Sequence, residues 1–265
     1  VSTSAIRTLA GTVVEETVGG RGPVLLLHGI GSRARGWQAM VQRLNDVHCL
    51  AWDAPGYGES IPLAAGEPEA ADYAARALAV LDEAEIERAH VVGHSLGALV
   101  AAALAREAPH RVSSLFLADP AMGYRNQPAS ERAAMISERV ERLKQLGAAD
   151  HAAKRSPRLL SDYAGPAARE TVRNAMASLT ETGYAAAVAM LASGQLEDDL
   201  HDWNGPLAFV SGELDSITPP EPAAALARRL DAPFTLIERA GHACYVEQPE
   251  RFAQLLGNHL IQLEG

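Results

Sequence analysis

Cysteine is nearly absent. Cys49 and Cys244 are the two in 265 residues, too few and too widely spaced for a disulfide framework or a metal-ligand set, so a reducing compartment and no metal are expected. Long hydrophobic runs are missing too. No stretch approaches the roughly 18 apolar residues of a membrane span, so a membrane is not an expected partner. Val1 to Leu9 has no basic region followed by an apolar core; no signal peptide is read there, and a cytoplasmic location is the expectation. Positive charge is in deficit, with 23 Lys and Arg against 33 Asp and Glu and a net charge of −10, which disfavours nucleic acid and anionic lipid as partners. There is no internal repeat and no low-complexity tract beyond alanine-rich helices. What remains is a chain long enough for one large domain, or one domain with an insertion, and 48% hydrophobic, ample for a core.

The pattern along the chain alternates. Ala5–Leu9 and Thr12–Val18 flank Ala10-Gly11 and predict a hairpin on a sheet edge. Gly19 to Gly22 predicts a flexible turn. Pro23–Leu27 is a continuous apolar run and predicts a strand buried on both faces; Ala89–Val92, a short apolar run, Val112–Ala118, another buried strand, and Val47–Trp52, Leu207–Ser211 and Phe234–Ile237 complete the predicted strands. Helices are predicted over Trp37–Leu44, Glu69–Leu81, Leu96–Ala108, Pro222–Leu230 and Pro249–Leu263. Strands alternating with helices imply an α/β architecture, a mostly parallel sheet covered on both faces. Between Gly123 and Leu200 the rhythm breaks into helical pattern alone, with amphipathic segments at Ser130–Leu146 and Ala167–Leu179. The expected organisation is a core of residues 1–122 and 201–265 with a helical insertion at 123–200.

In parallel sheets ligands bind beyond the carboxyl ends of the strands. His28, Asp53, Ser95, Asp119 and Asp215 all follow predicted strand ends. The sharpest of these positions is Gly93-His94-Ser95-Leu96-Gly97, strand then turn then helix, which fits the Gly-x-Ser-x-Gly nucleophile elbow. A serine hydroxyl needs a base within hydrogen-bond reach, and the base needs a carboxylate to hold its tautomer. In the chain order Ser, Asp/Glu, His, the candidates are Asp215, in a loop after a strand, and His242 in Ala240-Gly241-His242-Ala243-Cys244. Asp119 is a rival acid. His94 adjoins the nucleophile and is read as packing or orientation. The backbone N–H groups of Leu96 and Ile30 are the candidate oxyanion donors. Cys244, two residues past His242, is placed near the site.

His28-Gly29-Ile30-Gly31, Asp53 to Ser60, Gly93 to Gly97, Gly212 to Asp215 and Gly241-His242 together resemble the α/β-hydrolase superfamily over nearly the whole chain. The resemblance implies an eight-stranded, mostly parallel sheet, a helical cap or lid at the insertion, and a Ser-His-Asp mechanism with no metal or organic cofactor. Ser95 argues against haloalkane dehalogenases and epoxide hydrolases, which carry aspartate at the elbow. The tail Gly241 to Glu250 is similar to 3-oxoadipate enol-lactonases and small esterases, with Ser-Leu-Gly-Ala standing where those carry Ser-Met-Gly-Gly. Meta-cleavage carbon–carbon hydrolases are similar in architecture but usually place Trp where Ala243 stands. The implied substrate is a small ester or lactone; carbon–carbon hydrolysis, or a receptor role on the same fold, is the alternative.

A dinucleotide-binding reading competes at one place. Gly29-x-Gly31-x-x-Ala34 follows a strand, and Asp53 ends the next strand about 20 residues on, where a ribose-binding acid would sit. That reading leaves Ser95, Asp215 and His242 unexplained. Residues 123–180 hold ten Arg or Lys against six Asp or Glu, in a chain that is otherwise acidic. A basic lid suits a carboxylate-bearing substrate, with Arg125, Arg155 and Arg158 as the candidate binding residues. Glu138 with Arg142, and Glu131 with Arg139, are read instead as solvated helix pairs.

Overall fold

The computed structural model describes residues 4–264. The strands are β1 (Ser4–Leu9), β2 (Thr12–Thr17), β3 (Arg21–Leu27), β4 (Val47–Trp52), β5 (Ala89–His94), β6 (Val112–Ala118), β7 (Leu207–Gly212) and β8 (Phe234–Ile237). They form one sheet in the order β1-β2-β4-β3-β5-β6-β7-β8. The hairpin β1–β2 lies at one edge, β2 is antiparallel to β4, and every later pairing is parallel. This is the eight-stranded, mostly parallel sheet that the resemblance implies.

The helices are α1 (Gln38–Val41), α2 (Ala70–Glu83), α3 (Leu96–Glu107), α4 (Ala129–Arg155), α5 (Pro166–Ala177), α6 (Glu181–Ser193), α7 (Leu196–Leu200), α8 (Pro220–Arg229), α9 (Cys244–Glu247) and α10 (Pro249–Glu264). They cover the sheet on both faces, and strand side chains alternate between the two cores. Leu25, Leu27, Val91, Leu115 and Leu117 enter the core under α2 and α3. Val24, Leu26, Val92, Phe116 and Ala118 enter the one under α1 and α10. A strand with apolar partners on both sides gains nothing from a polar position, so these runs show no alternation in sequence.

Two boundaries differ from the sequence expectation for local reasons. The helix expected over Trp37–Leu44 is a short 3₁₀ turn, Ala34–Trp37, followed by α1. Beyond Val41 the Arg43 and Leu44 amides bond three residues back, to Met40 and Val41 carbonyls, which tightens the chain into turns. The turn expected over Gly19–Gly22 ends early, because the Arg21 amide donates to the Asp46 carbonyl at 2.9 Å and β3 begins there.

Between β6 and β7 lie α4 to α7, closed at the base by a single antiparallel bridge between Gly123 and Gln195. α4 runs past the expected Leu146, but Gly147 interrupts it at φ 70°, ψ 161°, a conformation that glycine tolerates without a steric cost. α6, which the sequence pattern does not single out, starts at Thr180, whose hydroxyl accepts from the Gly183 amide at 3.0 Å. The inserted helices have no separate core. Val188 and Met190 of α6 and Leu196 and Leu200 of α7 belong to the same buried cluster as Leu99 and Val100 of α3.

Candidate active site

β5 ends at His94 and α3 begins at Leu96, leaving Ser95 alone to make the reversal. It does so at φ 53°, ψ −115°, where a residue with a Cβ is strained. The strain is held by neighbours: the Ser95 amide donates to the Ala118 carbonyl at 2.9 Å, and the Ser95 carbonyl accepts from Ala98 at 3.0 Å and Ala121 at 3.1 Å. The two elbow glycines permit the close packing. A Cβ on Gly97 would lie 2.1 Å from the Leu27 carbonyl oxygen, and one on Gly93 would lie 2.5 Å from that of Gly97. α3 is buried on every side from Leu96 to Ala105, so the turn is anchored in the core.

Three loops at the same sheet end bring the polar groups together. His242 Nε2 lies 3.0 Å from Ser95 Oγ, and His242 Nδ1 lies 2.8 Å from Asp215 Oδ2. All three residues are buried. Asp215 Oδ1 accepts from the Ile217 amide at 2.7 Å and the Thr218 amide at 3.1 Å, and the Thr218 hydroxyl donates to Oδ2 at 2.7 Å. Burial works to raise the Asp215 pKa, but the hydrogen bond and charge of His242, with Thr218 and Ile217 behind them, outweigh it and hold the group down to about 2. Asp215 is therefore ionised at neutral pH, and the carboxylate accepts the proton that sits on His242 Nδ1.

Asp119 occupies a different place. Its Oδ1 accepts from the Gly212 amide at 2.7 Å and its Oδ2 lies 3.8 Å from His94 Nε2. Full burial, and then the charge of Asp215, push its pKa well up. His94 Nε2 donates to the His242 carbonyl at 2.7 Å. Burial, and then the neighbouring His242, lower the His94 pKa to about 3, which keeps the ring neutral. Its role is to hold the histidine loop.

The loop after β3 presses on the serine: a Cβ on Gly29 would lie 2.7 Å from the Ser95 Cβ. His28 fixes that loop, its Nδ1 donating to the Gly29 carbonyl at 2.8 Å and its Nε2 accepting from the Ala54 amide at 3.0 Å. Ile30 and Leu96 both line the cavity with Ser95 and His242. Leu96 opens α3, where first-turn amides have no intrahelical acceptor and the helix dipole favours negative charge. Asp53 is engaged elsewhere: it binds Arg33 at 2.5 Å and accepts from the Ala34 amide at 2.8 Å. A ribose would have to displace both, which removes the support for a dinucleotide site.

The cavity in front of Ser95 measures about 310 Å³. Its polar wall away from the serine consists of Arg139, His151, Arg155 and Tyr184, and Met176, Leu179 and Leu191 are among its apolar residues. Of the three arginines expected at the substrate, Arg155 alone lines it. Arg125 donates to the Ser193 carbonyl at 2.8 Å and pairs with Asp198 at 3.6 Å, and Arg158 is exposed on the short 3₁₀ turn Ser156–Leu159. Arg142 does pair with Glu138, as its spacing suggests. Arg139, read from sequence as a solvated partner of Glu131, faces the cavity instead.

Sequence reasoning also passed over Thr218 and Glu247. Glu247 accepts from the Gly241 amide at 2.7 Å and from the Ser161 amide at 2.9 Å, tying the histidine loop to the segment between α4 and α5. Its nearness to His242 in the chain was a signal; its bond to Ser161, 86 residues away, was not. Cys244 is fully buried, and burial followed by the Asp119 charge raises its thiol pKa well up. Among the described residues one set of groups has metal-ligand proximity, Asp119, Asp215 and His242, with ligand atoms within 4.8 Å of one another. Asp215 Oδ2 and His242 Nδ1 bond each other, Thr218 donates to the former, and Asp119 Oδ1 accepts from Gly212, while Asp119 Oδ2 is buried without a hydrogen-bond partner.

Residues 24–255 match the model of the alpha/beta hydrolase family. A pimeloyl-[acyl-carrier protein] methyl ester esterase of Aeromonas salmonicida is 29% identical over 247 residues, 89% of this chain and 95% of that one. A 105-residue stretch is 45% identical to the dihydrolipoyllysine-residue acetyltransferase component of the acetoin cleaving system of Cupriavidus necator, but it spans only 27% of that protein and 38% of this one. Among solved structures, a thermophilic esterase of Thermogutta terrifontis with malate bound superposes with a TM-score of 0.86 at 27% identity, covering 100% of both chains.

Proposed function

This chain belongs to the alpha/beta hydrolase family, and from that premise we propose that it cleaves a small carboxylic ester or lactone by way of an acyl-enzyme on Ser95. The observation that carries the reading is the continuous relay from Ser95 Oγ to His242 Nε2 at 3.0 Å and from His242 Nδ1 to Asp215 at 2.8 Å. The esterase relatives support the reaction class, and the small cavity supports a small substrate. In this reading residues 1–122 and 201–265 form the catalytic body, and residues 123–200 form a cap that roofs the cavity.

His242 takes the Ser95 proton as Oγ attacks the carbonyl carbon. The developing oxyanion is held by the Ile30 and Leu96 amides, each worth on the order of 3 kcal/mol in the transition state. Asp215 stabilises the imidazolium that forms. As the tetrahedral adduct collapses, His242 gives its proton to the departing alcohol or enol oxygen. A water then loses a proton to His242, adds to the acyl carbon, and releases the acid while Ser95 recovers its proton. Every proton in these steps passes between the substrate, that water and the side chains of Ser95 and His242.

The test is hydrolysis of a panel of p-nitrophenyl esters and small lactones by the wild type and Ser95→Ala. The reading requires turnover of at least one ester or lactone by the wild type and loss of it in the variant. Equal turnover by both proteins, or none by folded wild type on any member, overturns it.

A further inference from the structure

Two guanidinium groups in the wall of the catalytic cavity lack a counter-charge. Arg139 and Arg155 both line it, both are half-buried, and no Asp or Glu lines it with them. Three nearby arginines are engaged by contrast: Arg125 by Ser193 and Asp198, Arg132 by the Arg125 carbonyl, Arg142 by Glu138. Among the described residues neither Arg139 nor Arg155 makes a hydrogen bond or an ion pair. Half-burying a charge without a partner costs free energy, and two like charges on one wall cost more. The crowding is felt at Arg155, where burial and then the charges of Arg158, Arg139 and Arg142 all act to lower the pKa.

The rest of the wall is polar in a complementary way. Tyr184 and His151 stand beside the arginines with ring centroids 5.5 Å apart, and His151 Nδ1 is buried without a partner. Burial, then the charges of Arg155 and Arg142, lower the His151 pKa, so the ring adds no third positive charge of its own. The two arginines lie on opposite sides of the Gly147 interruption in α4. An unbroken helix would carry residues 139 and 155 about 24 Å apart along its axis; the break brings both to one cavity.

We propose that Arg139 and Arg155 bind a carboxylate carried by the substrate itself, so that the enzyme acts on short esters or lactones that bear a free acid group. The proposal rests on the ester-hydrolase reading above and adds to it the charge of the substrate. A planar fork of N–H donors matches the two oxygens of a carboxylate. The cavity of about 310 Å³ limits the remainder to a short chain. The acid group can sit on the acyl portion, as in a half-ester of a dicarboxylic acid, or on the alcohol portion.

The experiment compares wild type, Arg139→Gln, Arg155→Gln and the double variant on three esters. These are p-nitrophenyl pentanoate, which is neutral; mono-p-nitrophenyl glutarate, acidic on the acyl side; and the butyrate ester of 4-hydroxybenzoate, acidic on the alcohol side. Each single variant should lose about 10- to 100-fold in kcat/KM on one of the acidic esters, through KM, as expected for removing a charge-assisted bond. The neutral ester, of the same length as the glutarate but with a methyl in place of the carboxylate, should lose several-fold less than the acidic ester, because it offers the guanidinium groups no charge to bind. The acidic ester that responds identifies the portion bearing the anion. Equal losses on neutral and acidic esters, or no loss on any, overturn the proposal. Calorimetric titration of Ser95→Ala with monomethyl glutarate, in the presence and absence of Arg155→Gln, reads the site without turnover. Binding that disappears with the arginine supports the site, and binding that is absent or indifferent to the arginine counts against it. If wild type hydrolyses none of the esters while arginine-dependent binding persists, it is the hydrolase reading that falls and the anion site that stands.

Discussion

Asp215→Asn isolates the part of the relay that the geometry makes most specific. Asp215 Oδ1 is committed to two amide donors, Ile217 and Thr218, at 2.7 and 3.1 Å. An asparagine must leave its carbonyl oxygen there, because the amide nitrogen would face two N–H groups. The nitrogen is then forced into the Oδ2 position, between the Thr218 hydroxyl and His242 Nδ1. As a donor it makes Nδ1 the acceptor and moves the imidazole proton to Nε2, which faces Ser95 Oγ at 3.0 Å. The histidine can then no longer take the serine proton, and the imidazolium loses its stabilising carboxylate. The expected loss in kcat is about 10,000-fold, or about 5 kcal/mol of transition-state stabilisation. Rates would be measured with the ester the wild type prefers, on protein shown by its thermal unfolding to retain the fold. A kcat within about tenfold of wild type, from folded protein, would refute the forced tautomer and with it the role given to Asp215.

Asp119→Asn should leave activity within a few-fold and make stability less dependent on pH. The folded-state pKa of Asp119 is raised above its unfolded value; the wild type therefore loses stability as pH climbs above the unfolded value of about 4, because only the unfolded chain ionises there. The Tm of the variant relative to wild type should be higher at pH 8 than at pH 5, and a constant difference would show that Asp119 ionises alike in both states. Gly29→Ala places a Cβ 2.7 Å from that of Ser95. One of the two must move, and a displaced nucleophile should lower kcat on the order of 100-fold with the fold intact. Unchanged kcat would mean that the loop after β3 yields freely.

The sheet was legible because its chemistry is local. β3, β5 and β6 each carry a short apolar stretch before a turn, Val24–Leu27, Val91-Val92 and Leu115–Ala118, as expected of strands buried on both faces. The serine, acid and histidine were legible because each sits just past such a strand, so one topological rule gathers them. Chain order does not separate Asp215 from Asp119, since both lie between Ser95 and His242; the loop Gly212-Glu213-Leu214-Asp215 favours the former, and the hydrogen bonds to Ile217 and Thr218 that fix its carboxylate leave no pattern in sequence. Sequence reasoning passes over Arg139 because it pairs that residue with Glu131, and it chooses Arg125 and Arg158 on the positive charge of the segment, which does not say which way a side chain turns; Arg139 lines the cavity while Arg125 and Arg158 do not. Glu247 was invisible because its partner Ser161 lies in a different part of the chain.

The shared core beneath α6 and α7 sets where this protein could be recombined. Eight residues of α6 are buried, several against the body, whereas α4 buries three along its whole length. A graft exchanging all of 123–200 with a relative would cut through the packing that holds α3 and, with it, the serine turn. A graft ending before Thr180 would replace Arg139 and Arg155 and leave α7 seated on α3, but it would cut the packing of α6 against α4. The inserted helices therefore hold to the body through α7 and to one another through α4 and α6, and either cut needs its new interface repacked.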